Sequence, residues 1–300
     1  MTLGAAITGN GGIELSPITS NREIDLVDNT GGASALNLSL AEMKLLSSTG
    51  TVSLGIANTV GGVICIGNQG DVDLSAQGSF QGYSLELRGN SNVNFNFSAP
   101  NNLTIKNGGT LTVAIGAGQL LSPGDTSIDL AAVSGGSVNL KVTSASGIGL
   151  ASAPFTTQLG SGAFSAPSTG GVGTVFLANT GDFLVNAPVF TSNGNYNVTT
   201  SGTFINTTAG TINAGLGTIN ITSGGLSIGG NMLAANVNLT PITAGLGIGL
   251  NDAAKAFNIS ATGLQNLILP SSATLTFGSA AGIAPISIGT DGAIDLTANS

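Results

Sequence analysis

Gly225-Leu226-Ser227-Ile228-Gly229 spells the G-x-S-x-G pattern of a hydrolase nucleophile elbow. In that chemistry a serine hydroxyl attacks an acyl carbon while a neighbouring base takes its proton. The customary base is histidine, and the chain has none. An elbow also feeds a long helix, and no helical periodicity follows Ser227. Glycine and serine are frequent enough here to produce the pattern by chance. Ser227 therefore reads as a structural serine.

Carboxylates could act on a sugar, as in β-helical polysaccharide hydrolases and lyases. That work needs grouped acids about 5–9 Å apart. The best local groups are Asp71/Asp73 and Asp25/Asp28. Asp73 has a counterpart, Asp295, in a second copy of its surroundings. Both lie between apolar positions of a strand, which points them outward and suggests a corner or surface role. The calcium-binding nonapeptide G-G-x-G-x-D is absent: the glycine pairs Gly11-Gly12, Gly108-Gly109 and Gly135-Gly136 carry no Asp in place. Cys65 is the single cysteine, so no intramolecular disulfide and no Cys/His metal cluster can form. No catalytic, cofactor-binding or metal-binding residue is expected, and the chain reads as a non-enzyme with no cofactor.

Two further residue classes have bland readings. Sequons occur at Asn37, Asn96, Asn102, Asn197, Asn206, Asn220, Asn238 and Asn258, in a chain rich in Asn, Ser and Thr. Such Asn side chains usually satisfy backbone groups. Phe95 with Phe97, and Phe183 with Phe190, read as stacked core; the absence of Trp argues against an aromatic sugar platform.

The elements that carry these residues are short strands. Apolar and polar residues alternate with period two in Val52-Ser53-Leu54, Val72-Asp73-Leu74, Leu85-Glu86-Leu87, Val93-Asn94-Phe95, Leu111-Thr112-Val113 and Ile219-Asn220-Ile221. Gly, Asn and Ser separate them, and the dipeptides that close tight hairpins are sparse. Val52, Val72, Val93 and Leu111 suggest coils of about 20 residues, stacked at strand spacing. The fold expected is all-β: a right-handed parallel β-helix with short helical insertions, with residues 1–300 as one solenoid segment.

Composition agrees. Charged residues are 7% of the chain, against about 25% in ordinary soluble domains, while 41% hydrophobic residues still allow a large core. The net charge is −8 and the six basic residues do not cluster, which excludes a nucleic-acid partner. No apolar run approaches the ~20 residues of a membrane helix, so no direct span is expected. The absence of an N-terminal signal suggests an interior piece of a longer polypeptide.

The chain also repeats itself. Ile24-Asp25-Leu26 returns as Ile248-Gly249-Leu250, Leu36-Asn37-Leu38-Ser39 as Phe257-Asn258-Ile259-Ser260, and Thr51-Val52-Ser53-Leu54-Gly55 as Thr274-Leu275-Thr276-Phe277-Gly278. Ile64-Cys65-Ile66-Gly67 returns as Ile286-Ser287-Ile288-Gly289, and Val72-Asp73-Leu74 as Ile294-Asp295-Leu296. The duplicated stretches are 21–76 and 244–298. Between blocks, Ser39-Leu40-Ala41-Glu42 is a capping box, so a short helix is expected there and after Ser260. Met43/Leu46 and Leu264/Leu267 would pack these helices.

Arg22-Glu23-Ile24-Asp25-Leu26, the Leu38-Ser39-x-x-Glu42-Met43 helix, Gly55-Ile56-Ala57-Asn58 and Ile64-Cys65-Ile66-Gly67 together resemble a repeat of large haemagglutinin-like exoproteins of Gram-negative bacteria. These are similar to filamentous haemagglutinins and other two-partner-secretion adhesins. The resemblance covers Asn21–Ala76 and Ala244–Ala298. It implies a secreted or cell-surface shaft that mediates display and adhesion, an outer-membrane transporter for export, and a host receptor or glycan as partner. The alternative is a β-helical enzyme acting on polysaccharide, which exposed acids grouped across three neighbouring coils in a groove would favour.

Overall fold

The computed structural model describes residues 3–19, 21–28, 35–56, 62–123, 127–167, 170–278 and 285–294. The chain divides into two compact units, 1–162 and 163–300. Each is a parallel β-helix.

In the first unit, β1 (Ile7–Gly9), β2 (Ile13–Leu15) and β3 (Ile24–Leu26) are followed by β4 (Leu36–Leu38) and helix α1 (Leu40–Met43). Then come β5 (Leu46–Ser48), β6 (Thr51–Gly55), β7 (Ile64–Ile66) and β8 (Val72–Leu74). Three regular coils follow: β9 (Ser84–Arg88), β10 (Val93–Phe95) and β11 (Leu103–Ile105); β12 (Gly109–Ala114), β13 (Gln119–Leu121) and β14 (Leu130–Ala131); β15 (Val138–Ser144), β16 (Gly147–Ile148) and β17 (Phe155–Gln158). The strands stack into three parallel ladders: β2-β6-β9-β12-β15, β4-β3-β7-β10-β13-β16 and β8-β11-β14-β17. Each coil thus has three faces.

The register corrects the coil length. Val52 pairs with Leu85, Leu85 with Leu111, and Leu111 with Leu140. Val72 and Val93 belong to the other two ladders. The rhythm that runs from Val52 to Val72 to Val93 is therefore strand to strand on different faces here, and a full coil is longer. The hydrogen bond from Ser53 to Glu86, one coil on, spans 33 positions of the chain. The three faces alternate alike, so a one-dimensional pattern cannot tell one face from the next.

The second unit runs β18 (Ala163–Ala166), β19 (Thr174–Asn179), β20 (Phe183–Phe190), β21 (Tyr196–Thr200), β22 (Thr203–Asn206), β23 (Ile212–Asn213), β24 (Thr218–Ser223) and β25 (Gly225–Ile228). It continues with β26 (Met232–Leu233), β27 (Asn236–Pro241), β28 (Ile248–Leu250), β29 (Phe257–Ile259), α2 (Ala261–Gln265), β30 (Leu267–Ile268), β31 (Thr274–Phe277) and β32 (Ile286–Ile288). Here the coil does match the sequence rhythm. Val175 pairs with Tyr196, Tyr196 with Ile219 and Ile219 with Val237. Hydrogen bonds between equivalent positions of successive coils span 23 positions from Asn220 to Asn197 and 18 from Asn238 to Asn220. β20 bends: Phe183–Val185 pair with β22, while Val189 and Phe190 pair with β23. Phe183, Val185 and Val189 keep one parity and are the buried residues of the strand, and Phe190, seven positions from Phe183, falls on the other side. Phe183 is buried but Phe190 is only half-buried, so the Phe183/Phe190 core pair expected from sequence does not form.

Inward side chains fill each unit. Phe95 meets Phe97 at 6.0 Å and Phe155 edge-on at 4.9 Å between ring centroids in the first. Phe183 stacks on Phe204 at 6.1 Å in the second. Such pairs add about 0.5–1.5 kcal/mol beyond their burial. Corners are pinned by asparagine. Asn90 and Asn92 Oδ1 accept from the backbone of Ala117 and Gln119, one coil on. Asn193, Asn195 and Asn236 do the same for Leu216, Thr218 and Thr274. On the outer face of the second unit, Asn238 Nδ2 donates to Asn220 Oδ1, and Asn220 Nδ2 to Asn197 Oδ1, both at 2.7 Å. The abundance of Asn is thereby explained: a short amide bridges the gap between strands and satisfies groups that a turn leaves open.

The duplication is structural. β3 pairs with β4 and β7, and β28 pairs with β29 and β32, in equivalent registers. Val27 N donates to Leu38 O and Gly67 N to Leu26 O; Asn251 N donates to Ile259 O and Gly289 N to Leu250 O. Three of the five blocks end at a left-handed residue: Val27, Gly55 and Gly67 at φ 50°, 89° and 89°, against Asn251, Gly278 and Gly289 at 55°, 81° and 73°. α1 carries the capping box, with Glu42 N donating to Ser39 Oγ at 3.2 Å and Ser39 N to Glu42 Oε2 at 3.0 Å. α2 keeps only the Ser260 half, Gly263 N donating to its Oγ at 3.0 Å. Met43, Leu46, Leu264 and Leu267 are buried as expected. Asp295 and Leu296 lie outside the described residues, as do Ala57 and Asn58.

Candidate functional site

Along one strand ladder of the first unit, the outward residues Glu14, Ser53, Glu86, Thr112 and Lys141 fall in one column, because Glu14 pairs with Ser53, Ser53 with Glu86, Glu86 with Thr112 and Thr112 with Lys141. Period-two alternation puts every one of them opposite an inward Leu or Val. Arg88 stands two residues along from Glu86 on the same face and reaches back. Its Nη2 lies 2.7 Å from Glu86 Oε2 and its Nη1 3.1 Å from Glu14 Oε2. Ser53 Oγ donates to the same Glu86 oxygen at 2.8 Å. These groups line an open groove of about 460 Å³ that also includes Thr51 and Gly11–Ile13.

The electrostatics follow from this contact set. Burial pushes the Glu86 carboxyl up, but the hydrogen bonds from Arg88 and Ser53 outweigh it and the net shift is downward. Arg88 is held more firmly charged, first by its hydrogen bond to Glu86. Two carboxylates and a guanidinium across three coils can bind polar or charged ligands. Glu86, its pKa lowered, is a poor proton donor, because a glycosidase acid needs a raised one.

Sequence reasoning missed this group. Glu86 is visible only as the middle of a strand, and Glu14 lies far back along the chain on β2. The signal that could have found it is Ser84-Leu85-Glu86-Leu87-Arg88, with opposite charges at i and i+2 on one strand face.

The residues singled out from sequence lie elsewhere. Ser227 is exposed within β25, beside Ile205. It sits inside a strand, not at a strand-to-helix turn, so the elbow geometry is absent. Asp73 Oδ1 accepts from Ser75 N at 3.0 Å and Ser75 Oγ at 2.6 Å, and Gln77 Nε2 donates to its other oxygen. Asp71 Oδ1 accepts from Asn102 N at 2.8 Å. Both hold corners of the coil. Asp73 borders a polar groove of about 570 Å³ with Ser75, Asn102, Thr104 and Gln158, in which it is the one ionisable lining residue among the described residues. Asp25 and Asp28 are buried. Cys65 is buried on the outward side of β7, its Sγ 3.1 Å from Glu23 Oε1. Among sequon residues, Asn206 is buried and donates to Gly230 O at 2.9 Å. No described helix is long and apolar enough to cross a membrane. No family model, no curated protein and no solved structure matches this chain.

Proposed function

We propose that the chain is a structural shaft segment of a secreted or surface-anchored bacterial exoprotein, serving display and adhesion. The observation that carries this reading is what the duplication keeps. The two copies share apolar ladder positions and left-handed strand ends, while the side chains between them are kept only in part: Asn37, Ser53 and Asp73 return as Asn258, Thr276 and Asp295. Asp25 becomes Gly249 and Cys65 becomes Ser287. A unit reused for its shape rather than its side-chain chemistry serves construction. The resemblance to haemagglutinin-like repeats supports the same reading, with export through an outer-membrane transporter and a host receptor or glycan at the far end.

The polysaccharide-enzyme reading has one observation in its favour: the carboxylates of Glu14 and Glu86 and the Arg88 guanidinium lie in one groove, on the first and third of three successive coils. One experiment separates the two. The purified protein is incubated with neutral and uronate polysaccharides, and in parallel with immobilised glycans and cell surfaces. The shaft reading expects surface binding without product release, in the parent, Ser227→Ala and Glu86→Gln alike. Product release that disappears in Glu86→Gln overturns it in favour of the enzyme.

A further inference from the structure

The polar groove bordered by Asp73 runs along the ladder β8-β11-β14-β17 of the first unit. The register sets its floor. Asp73 pairs with Thr104, Thr104 with Ala131 and Ala131 with Gln158, so these outward side chains stand in one column on successive coils. Ala131 is the one short member. The column therefore dips between Thr104 and Gln158. Neighbouring rungs are about 4.8 Å apart, which makes the column about 14 Å long. The groove holds about 570 Å³, within the range of about 300–1,000 Å³ that small-molecule sites occupy.

One wall is the turn 133–136, and hydrogen bonds fix it. Gly136 N donates to Val133 O at 2.8 Å, and Ser137 N to Asn107 Oδ1 at 2.9 Å. Gly160 sits against this turn at φ 62°, where a Cβ would lie 2.1 Å from Gly136 O. Only glycine fits there, and it lets the two turns close on each other. Asp73 is held as firmly. Its Oδ1 accepts from Ser75 N and Ser75 Oγ, and its Oδ2 from Gln77 Nε2. A carboxylate has about four acceptor sites, so Oδ2 can accept once more. Thr104 Oγ1 donates to Asn102 Oδ1 at 2.8 Å, which leaves the hydroxyl oxygen able to accept. Gln158 at the far end and Ser134 on the wall are exposed. A groove shaped in advance by its own hydrogen bonds has little ordering left to lose on binding.

The lining selects the class of ligand. No Lys or Arg lines the groove among the described residues, and the chain carries a net charge of −8, so an anion finds no partner there. A hard cation takes about six to eight oxygens, and Asp73 is the one carboxylate among the described lining residues. What remains is a set of hydroxyls and planar amides around a small apolar floor. It matches an elongated, uncharged molecule with adjacent hydroxyls on its edges and C–H groups on its face.

We propose that this groove binds a neutral oligosaccharide lengthwise, across the coils. The proposal rests on the display-and-adhesion reading for the role of that contact, and places it on the side of the coil stack. No aromatic ring lines the groove among the described residues, so each contact is weak, and firm attachment requires many copies engaged at once.

The test titrates the full chain with cellotriose, maltotriose and triacetylchitotriose, read by saturation-transfer NMR, with trigalacturonate as the charged comparison. At least one neutral trisaccharide should bind the parent at millimolar concentration, and trigalacturonate should not. Ala131→Gln fills the dip and should abolish the signal, with an unchanged circular dichroism spectrum. Gln158→Ala, at an exposed position, should weaken binding about three- to tenfold, as the loss of one or two hydrogen bonds does. Ser227→Ala, in the second unit, should bind as the parent does. Absence of binding for all three neutral sugars overturns the proposal. So does undiminished binding by folded Ala131→Gln or by Gln158→Ala, or a preference for trigalacturonate. Release of smaller sugars from a bound trisaccharide would overturn the shaft reading instead and leave the binding groove standing.

Discussion

At the scale of single residues, the two copies act as controls for each other. Val27 holds φ 50° where the second copy places Asn251 at 55°. A β-branched residue is strained in the left-handed region, and asparagine tolerates it. Val27→Asn should therefore raise stability by about 1 kcal/mol, read as a higher urea midpoint at unchanged slope. A lower midpoint would mean that the half-buried valine's packing outweighs its strain. The Arg88 cluster gives a second residue-level outcome. The Glu86 pKa is lowered in the folded state, so its stabilisation is present above the unfolded carboxylate pKa and is lost as pH falls through the lower folded value. Parent and Glu86→Gln should differ in urea midpoint near neutrality, and the difference should close as pH drops below the ordinary value of 4.5. A difference independent of pH would assign the effect to packing.

At the scale of elements, the ladder is the unit of stability. Leu54 lies on the inner side of β6 and is fully buried between Leu15 and Leu87. Leu54→Ala removes contacts on both sides at once and should cost about 2–5 kcal/mol, measured by denaturant unfolding. A cost under about 1 kcal/mol would show that the neighbouring coils collapse into the space. Much of this scale was legible in the sequence. Alternation named the strands, the Ser39/Glu42 spacing named α1, and the block order paired β3, β4 and β7 with β28, β29 and β32. The bend in β20 was legible only in part. Pro188, which has no N–H for a ladder, marks an interruption between the segments that pair with β22 and β23, but which strand takes up the pairing on either side of it is set by the turns that follow.

At the scale of the whole molecule, cooperativity is expected to decay toward the open edges. In a solenoid each coil is held by its neighbours, and an end coil has lost one of them. Amide hydrogen exchange should be slowest in β9, β12 and β15 of the first unit and β21 and β24 of the second. It should be fastest in β1, β2, β31 and β32. Uniform protection across each ladder at low protein concentration would contradict this.

The sequence by itself determined the class of fold, the duplicated blocks, the helix caps and most of the inward residues, with Phe190 an exception. Each of these depends on near neighbours in the chain or on a period of two, and both are properties of a string. The tertiary structure alone decided the number of faces per coil and the pairing of Val52 with Leu85 rather than Val72. It also decided the meeting of Glu14 with Arg88 across 74 positions. These depend on the distance the chain travels before it returns to the same face. Turn length sets that distance, and the turns vary freely, because asparagine and glycine close corners of many lengths equally well.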